Sequence, residues 1–359
     1  MKKRWRVVLL ALLLFLSGCS NKIENTLNCE EESEMDAVRS IAKSEGLLIL
    51  DIELPLNEGE SLSCYALEDD TVYYAVDMPT GELEVEPDAR FEQSMEKEIR
   101  SYNWRNNEEQ LIYKYDIGYP IDTSDMGVCG NILYWEDYPR DVSYRVVGCM
   151  INQERVCDVL FDADDIGEDS YIITPQDDGE RIFFYQKSEN MSFLYTYDNG
   201  QIYRNSPPLF VNSAYEKPAK YKNEYAVVIQ NNEVRTIAVM KDNQTLQEYS
   251  MADDVSMLQL NDRYITYVED SEIKNRIFVI RRENEAQTIL TSEPLFCYGL
   301  LDDYVIINLR DRIISVNLLN GERVELMSSN HDTYRWILQE DEERLSFTAM
   351  NHVYVIETE

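Results

Sequence analysis

Short apolar runs separated by acidic and polar turns dominate the chain from about Gly118 to its end. The first set reads Asn131-Ile132-Leu133-Tyr134-Trp135, Glu180-Arg181-Ile182-Phe183-Phe184-Tyr185 and Glu224-Tyr225-Ala226-Val227-Val228-Ile229, then Asp262–Val268, Asp303–Ile307 and Glu343–Phe347. Anchored on Ile132, Ile182, Ala226, Tyr264, Val305 and Leu345, the runs return roughly every 40 residues. A second set keeps the same phase: Phe193–Tyr197, Val234–Val239, Arg276–Ile280, Arg312–Val316 and His352–Ile356. Asp198-Asn199-Gly200 and Leu319-Asn320-Gly321 supply turn residues that tolerate positive φ. β-branched and aromatic residues at this spacing, with no helical stretch between, predict antiparallel strands and argue against βαβ units.

The period is that of four-stranded propeller blades. The expected fold is therefore all-β: a β-propeller of six four-stranded blades, or seven, preceded by a small α+β N-terminal segment. A plain β-sandwich is the competing arrangement. The last repeat stops after its second strand, and a ring with a half-paired blade would expose an open edge. Closure by an upstream strand follows as an expectation, from either Leu111–Asp116 or Leu47–Ile52. The run Thr174-Pro175-Gln176-Asp177-Asp178-Gly179-Glu180-Arg181-Ile182-Phe183-Phe184, and more loosely Trp336–Phe347, resembles the propeller repeats of the TolB-like family. That resemblance implies a fold and no particular activity.

Ahead of the repeats, Met35, Val38 and Ile41 fall at helical spacing with Gly46 as a stop. Strand signals follow at Leu47–Leu54, Leu62–Leu67 and Val72–Val76, with a turn at Pro79-Thr80-Gly81. Asp88 could cap a helix carrying Phe91, Met95, Ile99 and Tyr102 on one face. Two readings compete here: a helix–meander–helix subdomain ahead of six blades, or a further blade. The two helical patterns favour the first. The resulting division is 1–18 leader, 19–34 tether, 35–117 small α+β segment or first blade, and 118–359 propeller repeats.

The leader begins Met1-Lys2-Lys3-Arg4-Trp5-Arg6 and continues as an apolar run from Val7 to Leu16. A basic start before about 10 apolar residues is the secretory pattern. The run falls short of the roughly 20 residues that span a bilayer. It ends in Leu16-Ser17-Gly18-Cys19, which resembles the lipobox of bacterial lipoproteins. The resemblance implies cleavage before Cys19, acylation of that cysteine and an extracytoplasmic body tethered to a membrane. Two or more acyl chains hold a soluble domain durably, where one holds it marginally.

Charge narrows the partners. The formal net charge is −35, and removal of a basic leader makes the chain more negative still. Such a field opposes nucleic acid and anionic lipid and attracts cationic groups. Six cysteines remain besides Cys19, and export permits disulfides among them. Cys149 and Cys157 stand symmetrically about Gln153, so a hairpin turning there would set them face to face as a candidate disulfide. Unpaired buried thiols are the alternative.

Chemistry is sparse by comparison. The two histidines, His331 and His352, carry no surrounding motif, so Ser-His-Asp catalysis and multi-His metal sites have little material. No Cys-x-x-Cys pair, nucleophile elbow or phosphate-cradling loop occurs, and no metal or cofactor is expected. In the acidic loop 162–169, Ile166 stands where a calcium loop needs an oxygen ligand, so it reads as a solvated turn. The reading that results is a non-catalytic binding or scaffolding lipoprotein for an envelope protein, peptide or glycan. Its rivals are a carbohydrate-active enzyme using paired carboxylates and a ligand-sensing accessory of a membrane signalling or transport system.

Overall fold

Among the described residues the apolar runs form strands, and no helix occurs. The computed structural model describes residues 38–44, 46–79, 95–115, 122–138, 145–151, 157–162, 171–177, 180–188, 191–204, 219–231, 234–241, 244–251, 255–269, 276–291, 293–309, 311–328, 338–339 and 344–358. The expectations for Cys19, the leader, the tether, the acidic loop 163–169 and His331 lie outside them.

The described strands assemble into seven antiparallel sheets. Six are four-stranded meanders in chain order: blade 1 (61–114), blade 2 (122–162), blade 3 (171–204), blade 4 (219–251), blade 5 (255–291) and blade 6 (297–328). The seventh holds five strands. Leu338–Gln339, Arg344–Ala349 and His352–Thr358 come from the end of the chain, and Leu47–Glu53 and Val38–Ser44 from its start. Leu47–Glu53 lies against His352–Thr358 in unbroken antiparallel register, from Leu47 opposite Thr358 to Glu53 opposite His352. Closure by an upstream strand is thereby realised with Leu47–Ile52. The other candidate, Leu111–Asp116, contributes to the outer strand of blade 1.

Seven buried clusters occupy the seams between neighbouring blades. Ile52, Val353 and Val355 of blade 7 meet Leu62, Val72 and Tyr74 of blade 1. Tyr73 and Ile99 meet Leu133 and Trp135 across the next seam, and Tyr134 and Phe161 meet Ile182 and Phe184 across the one after. Phe183 packs on Val227, Ala238 and Met240 between blades 3 and 4. The remaining seams are filled in the same way. Each sheet is therefore covered on both faces, and every neighbour contact recurs until the first blade meets the last. Polar ties cross the seams too: Tyr134 Oη donates to Asp177 at 2.8 Å, and Arg263 spans to Asp302 and Asp303 at 2.7 and 2.5 Å.

Between the two readings of the N-terminal part the further blade is the one found, and two expected helices are corrected. The ring has seven blades, because the segment after Leu62 forms a full blade and not a subdomain. The helix expected across Met35–Ile41 is, from Val38 to Ser44, the outermost strand of blade 7, joined to Leu47–Glu53 by a turn at Gly46 with φ 84°. The helix expected across Phe91–Tyr102 is, from Met95 to Asn103, the third strand of blade 1. Both of its faces are buried, Ile99 towards blade 2 and Tyr102 towards blade 7. An apolar stripe at helical spacing arises when a two-sided strand carries one large residue per face a few positions apart.

Candidate functional site

In a meander blade, the loops between blades and the turn between second and third strands share one end of the sheet. At that end, the seam between blades 1 and 2 changes from apolar to ionic. Alternation along Thr71–Pro79 brings Tyr73, Ala75 and then Asp77 to the seam, and along Met95–Asn103 it brings Ile99 and Lys97. Blade 2 answers with Leu133, Trp135 and then Asp137. Asp77 and Lys97 are register partners, as are Asp137 and Arg145. Each blade thus ends its middle hairpin in an acid–base pair.

Lys97 is 4% exposed, with Nζ 2.9 Å from Asp77 Oδ1 and donating to Thr123 Oγ1 at 3.0 Å. Thr123 belongs to the inner strand of blade 2, so one ammonium group pins two blades together. Ser63 Oγ donates to the Thr123 carbonyl at 3.2 Å, and Cys64 Sγ lies 3.8 Å from Thr123 Oγ1. Burial pushes the Cys64 thiol up to about 12, which keeps it protonated and a poor nucleophile at neutral pH.

Asp137 is fully buried. Its Oδ2 accepts from Arg145 Nε and Nη2 at 3.1 and 2.7 Å and from Tyr115 Oη at 3.4 Å. Trp135 Nε1 in turn donates to Tyr115 Oη at 2.6 Å. Desolvation raises the Asp137 carboxyl above the ordinary aspartate value, against the pull of Arg145, Tyr115 and Lys97. Among the described residues no hydrogen bond reaches Oδ1 of the same carboxyl, which leaves it an acceptor within the seam. This arrangement can position groups and accept one further donor. Among the described residues it sets no base beside an activated nucleophile.

A second feature surrounds it on the inner strands. Pairing slips by one residue between Leu62 and Tyr65, Ser124 and Gly127, Ile173 and Gln176, and Ser256 and Gln259. The same bulge recurs near the start of the inner strand in blades 1, 2, 3 and 5. Asp125 and Met257 sit inside it at φ 43° and 55°, an uncommon conformation for a side chain as large as methionine. Tyr298 Oη of the next blade donates to the Met257 carbonyl at 2.6 Å. Bulges break the ladder and re-aim side chains. Repeated at one level of the inner strands, they place Ser63, Cys64, Asp125, Met126, Met257 and Leu258 towards the blade-connecting end, with Cys64, Met126, Met257 and Leu258 packed into the seams. Together the bulges and the ionic seam form the candidate site.

Among the sequence-selected residues, Cys149 and Cys157 are brought together as direct register partners. His352 lies in the closing sheet with Nδ1 2.6 Å from Asp51 Oδ1, where it joins the first and last parts of the chain. Among the described residues no group of three or more His, Cys, Asp or Glu could hold a metal ion. The acid–base pairs were missed at the sequence level. Their signal was acidic side chains near the end of an otherwise aromatic and apolar strand, Asp77 in one and Asp137 beside Glu136 in the other.

No protein-family model and no curated protein matches the chain by sequence. Solved structures do match its shape. The WD40 β-propeller domain of Doa1 superposes with a TM-score of 0.52 at 10% identity, over 86% of this chain and 97% of that one. The β-propeller domain of the Trilobed protease from Pyrococcus furiosus, described as having an open velcro topology, gives 0.53 at 10% identity over 84% and 92%. A puromycin-hydrolyzing peptidase of Mycobacterium tuberculosis gives 0.55 at 13% identity over 81% of this chain and 49% of that one, so the match spans about half the peptidase. At such identities the likeness is one of fold, and the fold it supports is the seven-bladed β-propeller.

Proposed function

We propose that this chain is an exported lipoprotein, lipidated at Cys19, whose propeller serves as a non-catalytic binding or scaffolding ring for an envelope protein, peptide or glycan. The observation that carries the reading is the covered and closed ring. All seven seams are packed, so the bulged inner strands stand on a rigid base, which favours recognition with little ordering cost. The Leu16-Ser17-Gly18-Cys19 run supports the anchor and the extracytoplasmic address. Fold neighbours that include a WD40 domain and the propeller of a protease support a module and favour no single chemistry. The net charge of −35 favours a partner with a basic docking surface.

Two measurements test it. Labelling with radioactive palmitate marks the wild-type chain and not Cys19→Ala; equal incorporation removes the anchor. A chain of residues 20–359 immobilised as bait recovers a saturable envelope partner whose retention falls steeply with added salt. Binding that is neither saturable nor salt-sensitive counts against a charged docking surface.

A further inference from the structure

Two thiols of blade 2 stand opposite one another at the end of its outer hairpin. Cys149 lies on Arg145–Met150 and Cys157 on Cys157–Asp162, and the register pairs them directly. The hydrogen-bonding phase of the sheet tells which kind of pair they make. Ile151 N donates to the Asn131 carbonyl at 2.9 Å, so residues 151 and 131 form a hydrogen-bonded pair. The alternation of an antiparallel ladder makes Cys149 and Leu133, two residues further, the next such pair. The N–H and C=O of Cys149 therefore point to the Ile132–Tyr138 strand and away from Cys157. Cys149 and Cys157 are left as a non-hydrogen-bonded pair, in which Cα atoms approach to about 4.5 Å and side chains are closest. That separation lies inside the range a disulfide spans.

Side-chain direction agrees with the backbone. Both sulfurs pack on one face, against the cluster that holds Trp135 and Val147, and the two thiols are hydrogen-bond partners. Cys149 is buried, whereas Cys157 is half-buried at the outer strand. Cys64 belongs to the same cluster, on the inner strand of blade 1, and Cys129 and Cys297 lie in other seams. Among the described cysteines, register singles out one pair.

We infer that Cys149 and Cys157 form a cross-strand disulfide that fastens the outer strand of blade 2 to its neighbour. The oxidant is a disulfide of the oxidised-glutathione class. The Cys157 thiolate, more open to solvent, attacks one of its sulfurs and expels a thiolate. The Cys149 thiolate then attacks the mixed disulfide at Cys157 and expels the second. Two protein thiols lose two protons and two electrons, and one disulfide oxidant becomes two thiols. The hydrogen bond with Cys149, together with burial, holds the Cys157 thiol well above the ordinary cysteine value, so the first attack is slow near neutral pH and faster in mild alkali. Encounter with such an oxidant inside the cell envelope rests on the export reading above; the geometry does not.

The test uses the purified full-length chain in detergent, first reduced and then equilibrated with oxidised glutathione. Thiol counting after denaturation falls by two, non-reducing peptide mapping joins the Cys149 and Cys157 peptides, and the oxidised chain melts about 5 °C higher. Cys157→Ser abolishes the loss of two thiols and the shift, while Cys64→Ser keeps both. Glutathione retained on Cys157, a bridge to Cys64, or a thiol count unchanged at alkaline pH each overturns the inference. Because the oxidant is added to purified protein, these outcomes stand apart from whether Cys19 is lipidated.

Discussion

Lys97 Nζ lies 2.9 Å from Asp77 Oδ1 across the middle strands of blade 1, and the pair caps the seam with blade 2. Among the described residues no hydrogen bond reaches that carboxylate oxygen, so the contact with Lys97 is coulombic in kind. Removing one member strands the other charge in a seam that also holds Asp137. Lys97→Met is expected to destabilise the ring by about 3–5 kcal/mol, and the pair Asp77→Leu with Lys97→Met to recover most of that loss. Denaturant midpoints of the two single variants and the double variant check the coupling. Additive losses mean that the two side chains act independently.

Arg100 carries a pH prediction. Its Nη1 and Nη2 donate to the two oxygens of Glu60 at 3.0 and 2.7 Å, and Nε and Nη2 donate to Glu98 at 2.9 and 2.8 Å. The Arg100 hydrogen bonds hold the Glu60 carboxyl down at about 2 against 4.5 in the open chain. A carboxylate depressed in the fold stabilises it above the unfolded value, and that contribution drains away as pH falls from about 4.5 towards 2. Allowing for solvent access at Glu60, the loss is about 2 kcal/mol. Melting curves across this window should lose the corresponding slope in Arg100→Met. An unchanged slope removes Glu60 from the account.

Two glycines separate conformational from steric cost. Gly200 has φ 79° in the Asp198-Asn199-Gly200 hairpin turn, and a Cβ there would meet nothing within 4 Å. Gly200→Ala therefore pays strain alone, about 1 kcal/mol. At Gly127 a Cβ would come within 2.3 Å of Tyr134 Oη, the group that donates to Asp177 of blade 3. Gly127→Ala should lose about 2–3 kcal/mol. Tyr134→Val in the same chain should absorb the added methyl. Equal losses at the two glycines, read from urea midpoints, contradict this division.

Much of the ring was legible in the sequence because its middle strands are sequence-local hairpins with strong apolar content. Every anchor from Ile132 to Leu345 lies on the second strand of its blade. Even the closing partner was visible, since Leu47–Ile52 is apolar enough to be covered on both faces. What stayed undecided between two readings was blade 1. Its third strand carries Lys97, Glu98 and Arg100 as buried ion pairs, so the polar positions that normally mark the wet face are inside. Period-2 alternation disappears, and Met95, Ile99 and Tyr102 are left to imitate a helix. The bulges were invisible for another reason. A bulge is a slip in register between two strands, and neither strand announces it alone.

The central claim is that the start of the chain closes the ring against its end. Native-state hydrogen exchange followed by mass spectrometry reads this on peptides covering 47–53 and 352–358. Closure predicts that both segments are protected together, at the deepest level found in the ring. It also predicts that Ile49→Asp, which buries a charge opposite Ile356, opens both. Rapid exchange across 47–53 beside full protection of 352–358 would contradict it.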